Sequence, residues 1–221
     1  MRAAELLKSS ILIGLALLLL LGQATVRESF SAEAEGWARQ AARLEAEGNW
    51  TELLKHSFRW TRTVSGDHLA WFNMGLAQEQ LGLEEKAEAS YNQALRCKDD
   101  FAPAWYNLGV LLRKRGAMRE AIAANLKALE IVPDLAPALF NLGVLYQQSG
   151  RTGQAIESYR QLTKLDPKFT SAWFNLGVSL GNSGRLEEAV IAFNRAAELE
   201  PENSMIQAAL ARARTALKNE S

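Results

Sequence analysis

Apolar residues recur at helical spacing along most of the chain, and glycine and proline interrupt them at regular intervals. Between Ala102 and Arg115, Trp105, Leu108, Leu111 and Leu112 keep to a 3.6-residue period. Gly116 breaks the pattern, at a place where glycine adopts positive φ at little cost. From Met118 to Ile131 a second stretch follows with Ile122, Leu126, Leu129 and Ile131. Pro133 ends it, because proline cannot continue a helix. The spacing predicts two helices joined by a turn.

This unit is one of several. The triplets Asn73-Met74-Gly75, Asn107-Leu108-Gly109, Asn141-Leu142-Gly143 and Asn175-Leu176-Gly177 stand 34 residues apart. The same period governs Gly48, Gly82, Gly116, Gly150 and Gly184, then Ala87, Ala121, Ala155 and Ala189, then Pro133, Pro167 and Pro201. Five units tile 34–67, 68–101, 102–135, 136–169 and 170–203, and 204–221 reads as one further helix. One such pair cannot bury its own apolar face, so neighbouring pairs must stack. The tail is expected to cover the last pair through Met205, Ile206, Ala209, Leu210 and Leu217.

The start of the chain follows another logic. Arg2 and Lys8 precede Ile11 to Leu21, eleven residues without a polar side chain. That length suits a secretory signal, and as a helix it spans roughly 17 Å against a hydrocarbon layer of about 30 Å. Gly22-Gln23-Ala24 offers small residues for cleavage, giving a signal over 1–24. An uncleaved anchor from Ser9 to Val26 is the alternative. Both readings place the remainder outside the cytoplasm, because positive charge precedes the run and Glu28, Glu33 and Glu35 follow it. A lipoprotein is disfavoured, since no cysteine follows the run.

Composition narrows the function. Lys plus Arg and Asp plus Glu both number 25, so the net charge is about zero. A chain that holds nucleic acid by displacing counterions carries a strong positive excess, so nucleic acid is not expected as a partner. One cysteine, Cys97, excludes an intrachain disulfide framework and cannot build a metal site alone. No metal or cofactor is expected.

The repeat resembles the tetratricopeptide pattern, W-x2-L-G-x2-Y, then A-x3-F, then P, in 34 residues. The fifth unit has Trp173, Leu176, Gly177, Leu180, Ala189, Phe193, Ala196 and Pro201. The fourth has Leu139, Leu142, Gly143, Tyr146, Ala155, Tyr159, Leu162 and Pro167. The second has Trp71, Met74, Gly75, Gln78, Ala87, Tyr91 and Ala94, with Asp99 for the proline. The first is degenerate, with Gln40-Ala41 in place of Leu-Gly. The resemblance implies an all-α, right-handed α-solenoid of helix–turn–helix repeats with a C-terminal capping helix. It also implies that Gly109 and Ala121 face each other where two helices approach to about 8 Å.

In that family the first helix of each unit lines a groove. Position by position, this places Phe72, Tyr106, Phe140 and Phe174 in one row, Asn73, Asn107, Asn141 and Asn175 beside it, and Leu76, Val110, Val144 and Val178 four residues beyond the aromatics. An asparagine amide offers a donor and an acceptor, which matches the backbone of an extended peptide without reading its side chains. Aromatic and valine rows would receive apolar side chains. The asparagine row is similar to the ladder with which repeat domains of the O-linked N-acetylglucosamine transferase family hold peptide backbone. The same residues also belong to the idealised consensus repeat, so both readings stand. The run Arg113-Lys114-Arg115 should turn two members to the groove, either to meet an acidic group or as a solvated helix end.

Catalytic readings are weaker. Glu84-Glu85 and Glu187-Glu188 follow turn glycines at helix starts, where the dipole favours negative charge. His56 and His68 read as helix-surface residues. The expected function is a non-catalytic scaffold or assembly factor that binds a protein or peptide partner outside the cytoplasm, held to the membrane if the first segment is not cleaved. Two alternatives are a non-catalytic subunit of a membrane-associated enzyme complex and an oligomerisation module. The latter would self-associate through Trp37, Leu44, Trp50, Leu53 and Trp60, should these lack intrachain partners.

Overall fold

The computed structural model describes residues 34–220, all of them in helices and the turns between them. The Ile11–Leu21 run and Ala24 lie outside the described residues. Among the described residues no helix is long and apolar enough to cross a membrane. The helices are α1 (34–46), α2 (Trp50–Thr63), α3 (His68–Gln80), α4 (Glu84–Cys97), α5 (Ala102–Lys114), α6 (Met118–Ile131), α7 (Ala136–Gln148), α8 (Thr152–Leu165), α9 (Thr170–Asn182), α10 (Leu186–Leu199) and α11 (Ser204–Glu220). They fall into two compact units, one ending at Leu83 and one beginning at Glu84.

The first unit holds α1 to α3. Its core is Ala41, Leu44, Leu53, Trp60, Ala70 and Ala77, with Trp37 and Trp50 packed at its side. His56 is buried at 7% exposure, contrary to the surface position expected of it. Its ring lies 4.9 Å from that of Trp37, and Nε2 is 2.9 Å from the Trp37 carbonyl. A carbonyl only accepts, so Nε2 carries the proton. The partner that encloses this ring stands 19 residues away, beyond the reach of helical periodicity. Trp60 is also fully enclosed and Leu44 nearly so, so these residues do find partners within the chain.

The second unit holds α4 to α11, each helix packed on the next in chain order. The glycines of the 34-residue series, Gly48, Gly82, Gly116, Gly150 and Gly184, all have positive φ. At Gly116 φ is 77° and its N–H donates to the Arg113 carbonyl, while Ala117 N–H reaches the Leu112 carbonyl. These bonds satisfy carbonyls that the end of α5 would leave open.

The tryptophan of the repeat ties one unit to the turn before it. Trp105 Nε1 donates to the Asp99 carbonyl at 2.7 Å, and Trp173 Nε1 to the Pro167 carbonyl at 3.0 Å. Trp71 makes the same bond to Ser65 in the first unit, at 2.8 Å. In α11 the equivalent position is Gln207, and its amide donates to Pro201 at 3.0 Å.

The repeat's small residue sets how closely helices approach. A methyl group added at Gly143 would run into the Tyr159 ring, and one at Gly177 would sit 2.8 Å from Phe193. At Gly109 it would meet the Asn125 amide and lie 3.3 Å from the Ala121 carbonyl, so the expected Gly109–Ala121 contact is joined by a polar side chain. α11 buries Ile206, Ala209, Leu210 and Ala213. Met205, expected in that seam, is 64% exposed, because it stands in the first turn of α11, rotated by about 100° from the buried Ile206.

Candidate functional site

Helices α5, α7 and α9 carry the predicted rows within the second unit. Tyr106, Val110 and Arg113 of α5 meet Phe140, Asn141 and Val144 of α7 at a cavity of about 520 Å³, whose far wall includes Asp166 and Phe169. One repeat on, Phe140, Ser171, Phe174 and Asn175 line a second cavity of about 240 Å³ with Glu200 and Asn203. Positions advance together by 34 residues: Tyr106 to Phe140, Phe140 to Phe174, Asn141 to Asn175, Asp166 to Glu200. Phe140 serves both cavities.

The aromatic residues of the row are half-buried. Phe140 rests 6.0 Å from the buried Tyr159 ring and 5.4 Å from Phe169, and Phe174 rests 5.8 Å from Phe193. Each ring is fixed from behind by the core and keeps part of its surface open. Phe72 and Asn73 lie half-buried on α3 in the first unit, where the Asn73 amide donates to the Leu69 carbonyl at 2.8 Å.

The asparagines are not equivalent. Among the described residues, no protein group pairs with the Asn107 side chain, which is half-buried. Asn175 Nδ2 donates to the Ser171 carbonyl one turn back, at 2.9 Å, leaving its second N–H and its Oδ1 open. Asn141 is only 5% exposed and turns its amide inward to Oδ1 of Asn125 at 3.1 Å. Asn125 is fully buried and donates to the Ala121 carbonyl at 2.8 Å. The sequence reading missed Asn125. The signal was present: Asn125 stands where the A-x3-F pattern puts Tyr159 and Phe193 in the next two repeats.

The basic run divides. Arg113 is half-buried at the first cavity, and its Nε is enclosed without a hydrogen-bond partner among the described residues. Lys114 is exposed at the end of α5 and does not line that cavity. Arg115 pairs with Glu88 of α4. An enclosed N–H left unpaired costs about 1–3 kcal/mol, so Arg113 is primed for an acceptor.

Gln147 fixes the track from behind. Its Oε1 accepts from the Tyr159 hydroxyl at 2.8 Å, and its Nε2 donates to Ser179 Oγ at 2.8 Å and to the Asn175 carbonyl at 3.3 Å. Burial pushes the Tyr159 phenol above its ordinary pKa, so it remains a donor. The carboxylates read as helix-start residues are engaged structurally in one case. Glu188 accepts from Arg185 at 2.6 Å and Arg160 at 2.5 Å, and the Arg185 bond holds its pKa below the usual range. Among the described residues no group of His, Cys, Asp and Glu is placed to hold a metal ion.

Comparison with known proteins supplies the context. Three family models described as tetratricopeptide repeat match residues 68–100, 100–168 and 140–204. No curated protein matches the chain in sequence. Among solved structures, MamA from Desulfovibrio magneticus is 23% identical with a TM-score of 0.68, over 77% of this chain and 97% of that one. PilF of Pseudomonas aeruginosa is 16% identical with a TM-score of 0.73, over 84% and 85%. YrrB, described as a TPR protein with an unusual peptide-binding site, is 21% identical with a TM-score of 0.67, over 76% and 87%. At these identities the likeness is one of fold.

Proposed function

The chain belongs to the tetratricopeptide repeat family, an α-solenoid scaffold for protein–protein interaction, and from that premise we propose that its second unit holds an extended peptide segment along α5, α7 and α9. The observation that carries this reading is the pair of cavities one repeat apart, built from the same positions and sharing Phe140. An extended segment turns alternate side chains to one face, about 6.6 Å apart. Such side chains would enter the cavities between Tyr106, Phe140 and Phe174, while the open amides of Asn107 and Asn175 take the backbone. YrrB, similar in fold, is described as binding a peptide, which agrees with this use of the scaffold.

The test is selection of peptides from a random library on the purified protein, followed by affinity measurement with an Asn107→Ala/Asn175→Ala variant. Both sites are outside the core, so folding is retained. The proposal expects affinity to fall at least tenfold, whereas an unchanged affinity reduces the asparagine row to repeat consensus. Asn141, placed in the same row by sequence, is unsuitable for this test because its amide is part of the interior.

The proposal extends to location. On the strength of the Ile11–Leu21 run, the scaffold works outside the cytoplasm, as an assembly factor for an envelope or membrane complex. A C-terminal alkaline phosphatase fusion, active only where its disulfides form, tests this. An inactive fusion at normal protein level rejects it.

A further inference from the structure

Between α9, α10 and α11 lies a third cavity of about 350 Å³, lined among others by Val178, Gly181, Phe193, Ala209, Ala213 and Arg212. Its origin is visible in the preceding repeat. There Gln147 fills the corresponding space, bonded to the Tyr159 hydroxyl and to Ser179 Oγ. Thirty-four residues on, Gln147 becomes Gly181, Tyr159 becomes Phe193 and Ser179 becomes Ala213. All three polar groups are lost together, and an apolar hollow replaces the network. Packing does not demand glycine here: a methyl at Gly181 would stand 3.9 Å from Ala189 Cβ, an ordinary contact, and its φ is not positive. Glycine in a helix costs about 0.5–1 kcal/mol relative to alanine, and what it supplies here is room.

The rim carries one cation. Arg212 is exposed, its Nε rests on the Ala208 carbonyl at 3.3 Å, and among the described residues no carboxylate pairs with it. An apolar hollow beside an unpaired guanidinium is complementary to a large apolar side chain with an acid close by. In an extended segment, residues i and i+2 share a face and lie about 6.6 Å apart, within the reach of an arginine.

We propose that this cavity is the anchoring subsite of the bound segment. It accepts a large apolar side chain, phenylalanine or leucine, while an aspartate or glutamate two residues away pairs with Arg212. The inference deepens the groove reading, since it names the residues that the bound segment must carry.

The test uses the full chain and fluorescently labelled, end-capped pentapeptides read by anisotropy: Glu-Ala-Phe-Ala-Glu, with glutamine replacing glutamate in one control and alanine replacing phenylalanine in another. Loss of the phenylalanine should weaken binding at least tenfold, and loss of the acids about threefold to tenfold. Gly181→Gln, which restores the preceding repeat's filling, should abolish binding with helicity retained by circular dichroism. Gly181→Ala should fold and bind. Arg212→Gln should erase the preference for glutamate and keep that for phenylalanine. Equal binding of the phenylalanine and alanine peptides, or full binding by Gly181→Gln, overturns the inference. Equal binding of the glutamate and glutamine peptides overturns the acidic side chain as the partner of Arg212. If Gly181→Gln binds normally while Asn107→Ala/Asn175→Ala does not, the anchor is wrong and the groove stands. The reverse pattern leaves the anchor and removes the asparagine row.

Discussion

Asn141 donates its side-chain amide to Oδ1 of Asn125 across 3.1 Å, and both residues are buried. Removing one member strands the other. Asn125→Ala should therefore destabilise the protein by about 1–3 kcal/mol, and Asn141→Ala by a similar amount. The double variant should cost less than the sum, because the second substitution removes the stranded partner. Asn175→Ala should stay within about 0.5 kcal/mol. Urea unfolding of the four proteins checks this set, and equal small effects for all would contradict the buried pair.

Gly143 and Gly181 make a second contrast on neighbouring inner helices. A methyl at Gly143 enters the Tyr159 ring, which is itself fully buried. Gly143→Ala should cost about 1–3 kcal/mol through overpacking. Gly181→Ala meets only ordinary contact and should be neutral or stabilising by up to about 1 kcal/mol. Thermal melts of the two variants separate a glycine required by close approach from one that leaves space.

Arg113 makes a prediction about binding more than stability. Its enclosed Nε has no partner among the described residues, so Arg113→Gln removes an unmet group and should leave the melting temperature unchanged or raised. The same change should weaken a segment that places an acidic side chain in the first cavity, by roughly tenfold for a lost charged hydrogen bond. Peptides lacking that acid should be unaffected. Parallel titration of acidic and neutral peptides provides the measurement.

The depressed pKa of Glu188 gives a pH dependence of known sign. Bonding to Arg185, with Arg160 beside it, favours the carboxylate in the folded chain. Its contribution is therefore present above the ordinary glutamate pKa of about 4.3 and fades as pH falls through the lower folded value. The melting temperature of Glu188→Gln should lie below that of the parent protein at pH 7 and merge with it in acid. The gap will be small, because the groups are partly exposed and screened by salt.

Much of the fold was legible because the repeat imposes one spacing on unrelated residues. Turn glycines, tryptophans and prolines each report a local constraint, and the structure finds the glycines at positive φ and three tryptophans bonded to the preceding turn. The rows of the candidate site followed from equal register. What register could not give was direction. Asn107, Asn141 and Asn175 share a position, yet Asn141 turns inward because Asn125 replaces an aromatic ring on the partner helix. His56 was misread because Trp37, which encloses it, comes from a different helix. The hollow at Gly181 likewise appears only when three substitutions, spread over α9 to α11, are seen to meet in space. Periodicity reports which face a residue occupies; its hydrogen-bond partner depends on the neighbouring helix.

The central claim, an extended segment lying along α5, α7 and α9, is tested most directly by photo-crosslinking a library-selected peptide. A benzophenone amino acid is placed at Tyr106, at Phe174 or, as a control, at Leu126, which is 42% exposed on α6. The account predicts crosslinks from Tyr106 and Phe174 to different residues of one peptide, and none from Leu126. Crosslinks from Leu126 alone, or from all three sites to the same peptide residue, would contradict it.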